Sequence, residues 1–178
     1  KSVSAIGRFA FAYDYNLTAI EIEPESKLNR LGYGVFGYCG IEDFTVPENV
    51  STMGQEVFTG CNSLVTVTFE GESQLERIAA WTFQGADALR RITFEEGSSL
   101  TLLEARALEG LTSLNHLDLK YCTKLQEIDN YALNHCSSLT DISLPQSLTV
   151  IGRYAFQGCT SLKKLTVPAK LSQIGRYA

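Results

Sequence analysis

Apolar residues return along this chain in a fixed phrase. With the first apolar residue of each phrase as marker, the register runs Ile6, Leu31, Met53, Ile78, Leu103, Ile128, Ile151 and Ile174, at steps of 25, 22, 25, 25, 25, 23 and 23 residues. The fullest copy, LTVIGRYAFQGCTSLKKLTVP from Leu148 to Pro168, returns in altered form as VSTMGQEVFTGCNSLVTVTF from Val50 to Phe69. Self-similarity at such a period is the signature of stacked units, each burying its apolar side against its neighbours.

Each unit has two halves with different hydrophobic periods. The second half reads L-x-x-I-x-[VLF], as in Leu64–Val67–Phe69, Leu89–Ile92–Phe94, Leu114–Leu117–Leu119, Leu139–Ile142–Leu144 and Leu162–Leu165–Val167. Its last residues alternate inward and outward and favour β-branched residues and Thr, which predicts a short half-buried strand. Consecutive strands would pair in parallel. The first half, such as Ile151–Gly152 and Ala155–Phe156, is short and carries a Gly, which predicts a turn with a short helical or extended stretch. Strand and next unit are joined either by a short loop that begins at Pro47, Pro145 or Pro168, or by a polar loop two residues longer, such as EGESQ or KYCTK. Proline ends a strand because it cannot donate to a ladder, and the longer loops are surface turns.

The phrase IG-x-x-AF-x-GC-x-SL closely resembles the BspA-type leucine-rich repeat family of bacterial and parasite surface proteins. The resemblance spans the whole chain and is strongest at residues 31–69 and 128–178. It is weaker at 78–119, where AF becomes Thr82–Phe83 and Ala107–Leu108 and the Cys position becomes Ala86 and Leu111. It implies an α/β-type repeat solenoid, a right-handed horseshoe with about seven short parallel strands on the concave face. Turns and short helical or extended segments would form the convex face. Residues 1–178 are expected to be one solenoid of about seven and a half repeats, an excised piece of a longer array. Family members are typically secreted or cell-surface proteins linked to adhesion, so the resemblance implies an extracellular or surface location and a protein partner, a host matrix or cell-surface protein.

The repeats also serve as their own comparison. The column Phe11, Phe36, Phe58, Phe83, Leu108, Leu133, Phe156 never turns polar and is expected to be an interior ladder. Of the two outward strand columns, one is mostly small: Glu21, Thr45, Thr68, Thr93, Asp118, Ser143, Thr166. The other, Ala19, Asp43, Thr66, Arg91, His116, Asp141, Lys164, changes at every step and lies on the face where such folds meet partners. The candidate partner-binding residues are therefore Arg91, His116, Asp141 and Lys164, with Asp118 and Lys120 beside them. The plainer alternative is a set of solvated charges that keep the sheet soluble.

Composition narrows the function classes. The formal charge of −5 supplies no basic footprint for nucleic acid. No apolar run is long enough to span a membrane, and no signal peptide is seen at Lys1. His116 and Asp118 share a strand face, but the other histidine, His135, falls on a turn, and a metal needs three or four converging ligands, so no metal or cofactor is expected. The serines belong to the repeat phrase and lack a base and an orienter. Gly7, Gly32, Gly54, Gly152 and Gly175 recur once per unit and are read as turn glycines, not a phosphate cradle. Glu70, Glu72, Glu95 and Glu96 sit in loops, without the enclosed cleft that carboxylate catalysis requires. An enzyme is not expected.

The five cysteines are an odd number. Cys39, Cys61, Cys136 and Cys159 share one repeat position that also accepts Ala86 and Leu111, so they are expected to be buried free thiols. Cys122 lies off that register in a long loop and is expected to be the exposed, reactive one. Asn16-Leu17-Thr18 and Asn49-Val50-Ser51 match the glycosylation sequon, which matters only for a eukaryotic source. A carbohydrate-binding module would need exposed aromatic platforms, for which Trp81, Tyr33 and Tyr154 are the candidates; a structural spacer would need no ligand. The chain starts and stops on convex phrases without a polar cap, which predicts end-to-end self-association.

Overall fold

The computed structural model describes residues 3–178, so Lys1 and Ser2 lie outside it. Thirteen short strands follow one another: β1 (Ala5–Ile6), β2 (Arg30–Leu31), β3 (Asp43–Val46), β4 (Thr52–Met53), β5 (Thr66–Phe69), β6 (Arg77–Ile78), β7 (Arg91–Phe94), β8 (Leu102–Leu103), β9 (His116–Asp118), β10 (Glu127–Ile128), β11 (Asp141–Ser143), β12 (Val150–Ile151) and β13 (Gln173–Ile174). All pair in parallel, and those of three or four residues form one five-stranded sheet in the order β11-β9-β7-β5-β3. The two-residue strands form separate ladders, β1-β2-β4 and β13-β12-β10-β8-β6. The chain is a parallel-strand β-solenoid of about seven turns.

The sequence period is the pairing register. Ile6 faces Leu31, Leu31 faces Met53, Ile78 faces Leu103, Leu103 faces Ile128, Ile128 faces Ile151 and Ile151 faces Ile174. In the longer sheet Phe44, Val46, Val67, Phe69, Ile92, Phe94 and Leu117 point inward, while Asp43, Arg91, His116 and Asp141 are exposed, as the two-residue alternation of a strand requires. The ladder Phe36, Phe58, Phe83, Leu108, Leu133 is fully interior, with Phe58 and Phe83 stacked at 5.4 Å between ring centroids. Its terminal members Phe11 and Phe156 are only partly covered.

Two expectations fail. No helix occurs among the described residues, so neither the α/β label nor a helical outer face holds. The cause is backbone handedness. Three residues after each marker the chain enters the left-handed region, at Phe9, Gly34, Glu56, Trp81, Arg106, Tyr131, Tyr154 and Tyr177. It does so again four residues later, at Tyr13, Tyr38, Gly60, Gly85, Gly110, His135 and Gly158. Two such residues so close together leave no room for a helical turn to propagate. The longer sheet also has five strands where about seven were expected, because the segments around Ile20 and Leu165 are not in ladders.

These turns are joined by their own hydrogen bonds. Phe9 N–H donates to the Tyr33 carbonyl, Phe11 to Val35 and Tyr13 to Gly37, and the same triplet recurs up the stack, as in Arg106 to Asn130, Leu108 to Ala132 and Gly110 to Asn134. One junction lacks it. Between the fourth and fifth turns Trp81, Phe83 and Gly85 make no such bond; the Glu104 carboxylate reaches back instead to the Ala80 N–H, at 3.0 Å.

The repeat glycines are more than turn formers. A Cβ on Gly152 would stand 2.5 Å from the Asn130 nitrogen, and one on Gly54 2.7 Å from the Tyr33 nitrogen. Consecutive turns touch there backbone to backbone.

Cysteine placement follows the same logic. Cys39, Cys61 and Cys136 are buried and Cys159 is half-buried; each thiol donates to a carbonyl of the preceding turn, of Phe11, Phe36, Leu108 and Leu133 respectively. Cys122 departs from expectation, because it is fully buried. It occupies the place that Pro47, Pro145 and Pro168 hold in the short loops: its carbonyl accepts from Leu125, as theirs accept from Val50, Leu148 and Leu171. The side chain at that place turns inward, and burial, outweighing a hydrogen bond with Ser98, pushes its thiol up to about 12.

Candidate functional site

The outward side of the longer sheet presents its charged residues in a row. Arg91 of β7 faces His116 of β9, which faces Asp141 of β11. His116 Nδ1 lies 3.1 Å from Asp141 Oδ2. Two residues along β9, Asp118 Oδ2 lies 3.0 Å from Lys120 Nζ, and its Oδ1 accepts the Lys120 backbone N–H at 3.0 Å. Partial burial pushes the Asp118 carboxyl up, but the Lys120 N–H and ammonium, with His116 nearby, outweigh this and hold it below its ordinary value. The same contact raises Lys120. Both pairs are largely exposed, so they contribute little to stability and mainly fix where charge sits.

The candidate residues therefore separate into two kinds. Lys120 and Asp118 compensate each other, and His116 lies in contact with Asp141. Arg91 and its neighbour Arg90 have no ion-pair partner among the described residues. Lys164 is exposed and lies outside the paired strands, so it continues the row without sharing its ladder.

A cleft of about 230 Å³ opens on this face, lined by Arg90, Arg91, Asn115, His116, Asp118 and Tyr121. It gathers three of the six predicted residues. Three others were missed from sequence, Tyr121 above all, because the outward strand columns carry no aromatic. Tyr121 comes from the loop KYCTK, where burial of the adjacent Cys122 leaves it exposed at the sheet margin with the Lys120 ammonium 4.7 Å from its ring centre. An aromatic in a longer loop, next to a residue in the inward-turning place, was the available signal.

A broader groove of about 1030 Å³ runs along the first turns of the same face, beside Glu21, Asp43, Glu48, Glu70 and Glu95. Much of its charge is engaged in structure: Glu70 accepts the Glu48 N–H and Glu95 the Gly71 N–H, each at 3.0 Å, and Asp43 accepts from the Thr66 hydroxyl. The loop carboxylates thus tie successive loops together.

The aromatic candidates of the outer turns, Tyr33, Trp81 and Tyr154, are half-buried. Tyr131, Tyr154 and Tyr177 stack on one another at 4.8 and 5.1 Å, with Arg106 4.4 Å above Tyr131. Phe9 meets Tyr33 edge to face, and Trp81 is half-buried. Among the described residues no three His, Cys, Asp or Glu side chains converge as a metal site would require.

Comparison with known proteins places this architecture. The chain matches the BspA type leucine rich repeat region in six copies, over residues 1–96 and 66–178. No curated protein matches it. Among solved structures it is similar to the T. pallidum leucine rich repeat protein TpLRR, at 19% identity with a TM-score of 0.52, covering 99% of this chain and 80% of that one. It is also similar to a leucine-rich repeat protein from Bacteroides ovatus, at 23% identity, TM-score 0.42, covering 97% of this chain and 66% of that one. The pneumococcal vaccine antigen PcpA matches at 19% identity, TM-score 0.46, over 97% of this chain and 56% of that one. The chain thus spans less than two thirds of the length of the latter two proteins. The likeness to TpLRR speaks for the fold alone, whereas the family match covers the chain from end to end, and its repeat is the one whose register pairs the strands: this protein belongs to the BspA-type leucine-rich repeat family.

Proposed function

We propose that the chain is a non-enzymatic recognition module of the cell surface or extracellular space, which binds a protein partner through the outward face of the β3-β5-β7-β9-β11 sheet and its bordering loops. The observation that carries this reading is the contrast between columns. Interior positions repeat from turn to turn, whereas the row Asp43, Thr66, Arg91, His116, Asp141 changes at each step on an uncovered face. A stack needs uniformity inside and leaves the outward row free to be matched to something else. Surface placement follows from what the family resemblance implies.

Sugar binding is the less favoured reading, since stacking platforms need an open ring face and the candidate Tyr154 is stacked between Tyr131 and Tyr177. The test is to tetramerise the chain on streptavidin and measure binding to a panel of immobilised extracellular-matrix proteins. The wild type is compared with Thr68→Arg/Thr93→Arg, which puts bulk and charge in the centre of the face. Loss of binding in the double variant, with unchanged circular dichroism, supports the reading. Binding that ignores the double substitution, or that occurs only to polysaccharide, overturns it.

A further inference from the structure

We infer that the cleft lined by Arg90, Arg91, Asn115, His116 and Tyr121 is the anchor point of this face and takes one carboxylate, an Asp or Glu side chain carried by the protein partner. The inference rests on the reading of the sheet as a protein-binding face and names what that face grips.

Three observations converge on it. The first is the balance of charge within the cleft. Asp118 is already met by the Lys120 ammonium and N–H, and Asp141 lies against the His116 ring, so each local carboxylate already has a neighbour. The guanidinium groups of Arg90 and Arg91 have no ion-pair partner among the described residues. A guanidinium offers a planar fork of donors that matches a carboxylate bidentately. The second is composition: arginine from the sheet and tyrosine from its bordering loop line one cleft, and these are residue types in which interface energy concentrates. The third is size. At about 230 Å³ the cleft falls below the roughly 300–1,000 Å³ of pockets that enclose whole small molecules, and it suits the end of one side chain better than a sugar ring. Lys120 also stands over the Tyr121 ring, where a sugar would have to stack.

The chain as a whole carries a formal charge of −5, so an acidic peptide has no general attraction to it. Attraction must come from a local site. This makes a simple probe informative: hexaglutamate titrated into the isotope-labelled chain, followed by amide and side-chain NMR shifts at low ionic strength. Saturable shifts are expected at Arg91, His116 and Tyr121. Arg91→Gln should weaken the affinity about tenfold, in line with loss of a charge-assisted hydrogen-bonded pair, and Arg90→Gln should also weaken it. Raising the salt should weaken it further. Both arginines are exposed, Arg91 on β7 and Arg90 just before it, so these variants should keep the wild-type spectrum elsewhere.

Non-saturable shifts, binding indifferent to Arg91→Gln, or tighter binding of a uronic-acid oligosaccharide than of the peptide would overturn the assignment. These failures differ from failure of the wider reading. Loss of the cleft assignment alone leaves the Thr68→Arg/Thr93→Arg effect on matrix-protein binding intact. Peptide binding that survives while matrix-protein binding ignores that double variant refutes the sheet-face reading and not the cleft.

Discussion

The Cys61 thiol donates to the carbonyl of Phe36, 3.0 Å away in the preceding turn, so a residue of the interior column and a residue of the cysteine column are joined across the stack. The Phe36 carbonyl also accepts the Cys39 N–H of its own turn. A small, apolar side chain with one weak donor fits this place, and Ala86 and Leu111 keep its volume class without the donor.

Thiol reactivity should follow this geometry. Burial pushes Cys61 and Cys122 up to about 12, against 9.0 for a free thiol. Cys159 is half-buried and lowered by its contact with the Cys136 thiol, while Cys136 is raised by the same contact and by burial. With a thiol reagent at pH 8, Cys159 should label first in the native protein and Cys61, Cys122 and Cys136 only after denaturation. Fast native labelling of Cys122, followed by peptide mass mapping, would contradict the placement of its loop.

Alkaline pH should destabilise the fold. The folded-state values of Cys61 and Cys122 lie above their unfolded ones, so their contribution is complete below about pH 8.5 and is lost as pH rises towards 12. Urea midpoints should therefore fall between pH 9 and pH 11, and Cys61→Ala/Cys122→Ala should flatten that part of the profile.

Glycines should differ sharply in tolerance. Gly152→Ala would drive a Cβ to 2.5 Å from the Asn130 backbone and should cost several kcal/mol. Gly110→Ala meets nothing within 4 Å, and its cost should be limited to the positive φ of 76°, roughly 1–2 kcal/mol. Chemical denaturation of the two variants checks the order.

The gap between the fourth and fifth turns should appear in hydrogen exchange. The amides of Phe83 and Gly85 lack the acceptors that Phe58 and Leu108 have in the Thr82 and Ala132 carbonyls, so they should exchange faster despite similar depth. Glu104→Ala should speed exchange at Ala80 and cost about 1 kcal/mol. Equal protection along the stack would refute the gap.

What was legible in the sequence is what the period controls. The spacing Ile78, Leu103, Ile128, Ile151 gives the register, and the alternation in Thr66–Phe69 and Arg91–Phe94 gives the inner and outer faces. The handedness of the outer turns was hidden. Gly60, Gly85, Gly110 and Gly158 hint at it, but Arg106, Tyr131 and His135 adopt positive φ without a glycine, each with its N–H bonded to the next turn, and Trp81 does so without that bond. The candidate row was legible as outward, while its division into paired residues and free arginines depends on side-chain reach, on which periodicity is silent. Tyr121 was hidden for the same reason, since a loop residue has no column.

With the longer sheet's outward face as the proposed binding surface, its area sets a scale for affinity. Five strands at about 4.8 Å spacing and four residues at about 3.3 Å give a face of roughly 300 Å², against about 800 Å² per partner in a stable interface. Single-copy binding should be weak and linked copies much stronger. The direct measurement is surface plasmon resonance on one immobilised matrix protein, comparing monomeric chain, streptavidin tetramer and a tetramer with Arg91, His116 and Lys164 changed together to Ser. Fast dissociation of the monomer is expected, with an apparent affinity at least a hundredfold higher for the tetramer and loss of that gain in the triple variant. Tight monomer binding that the triple substitution leaves unchanged would contradict the proposed surface.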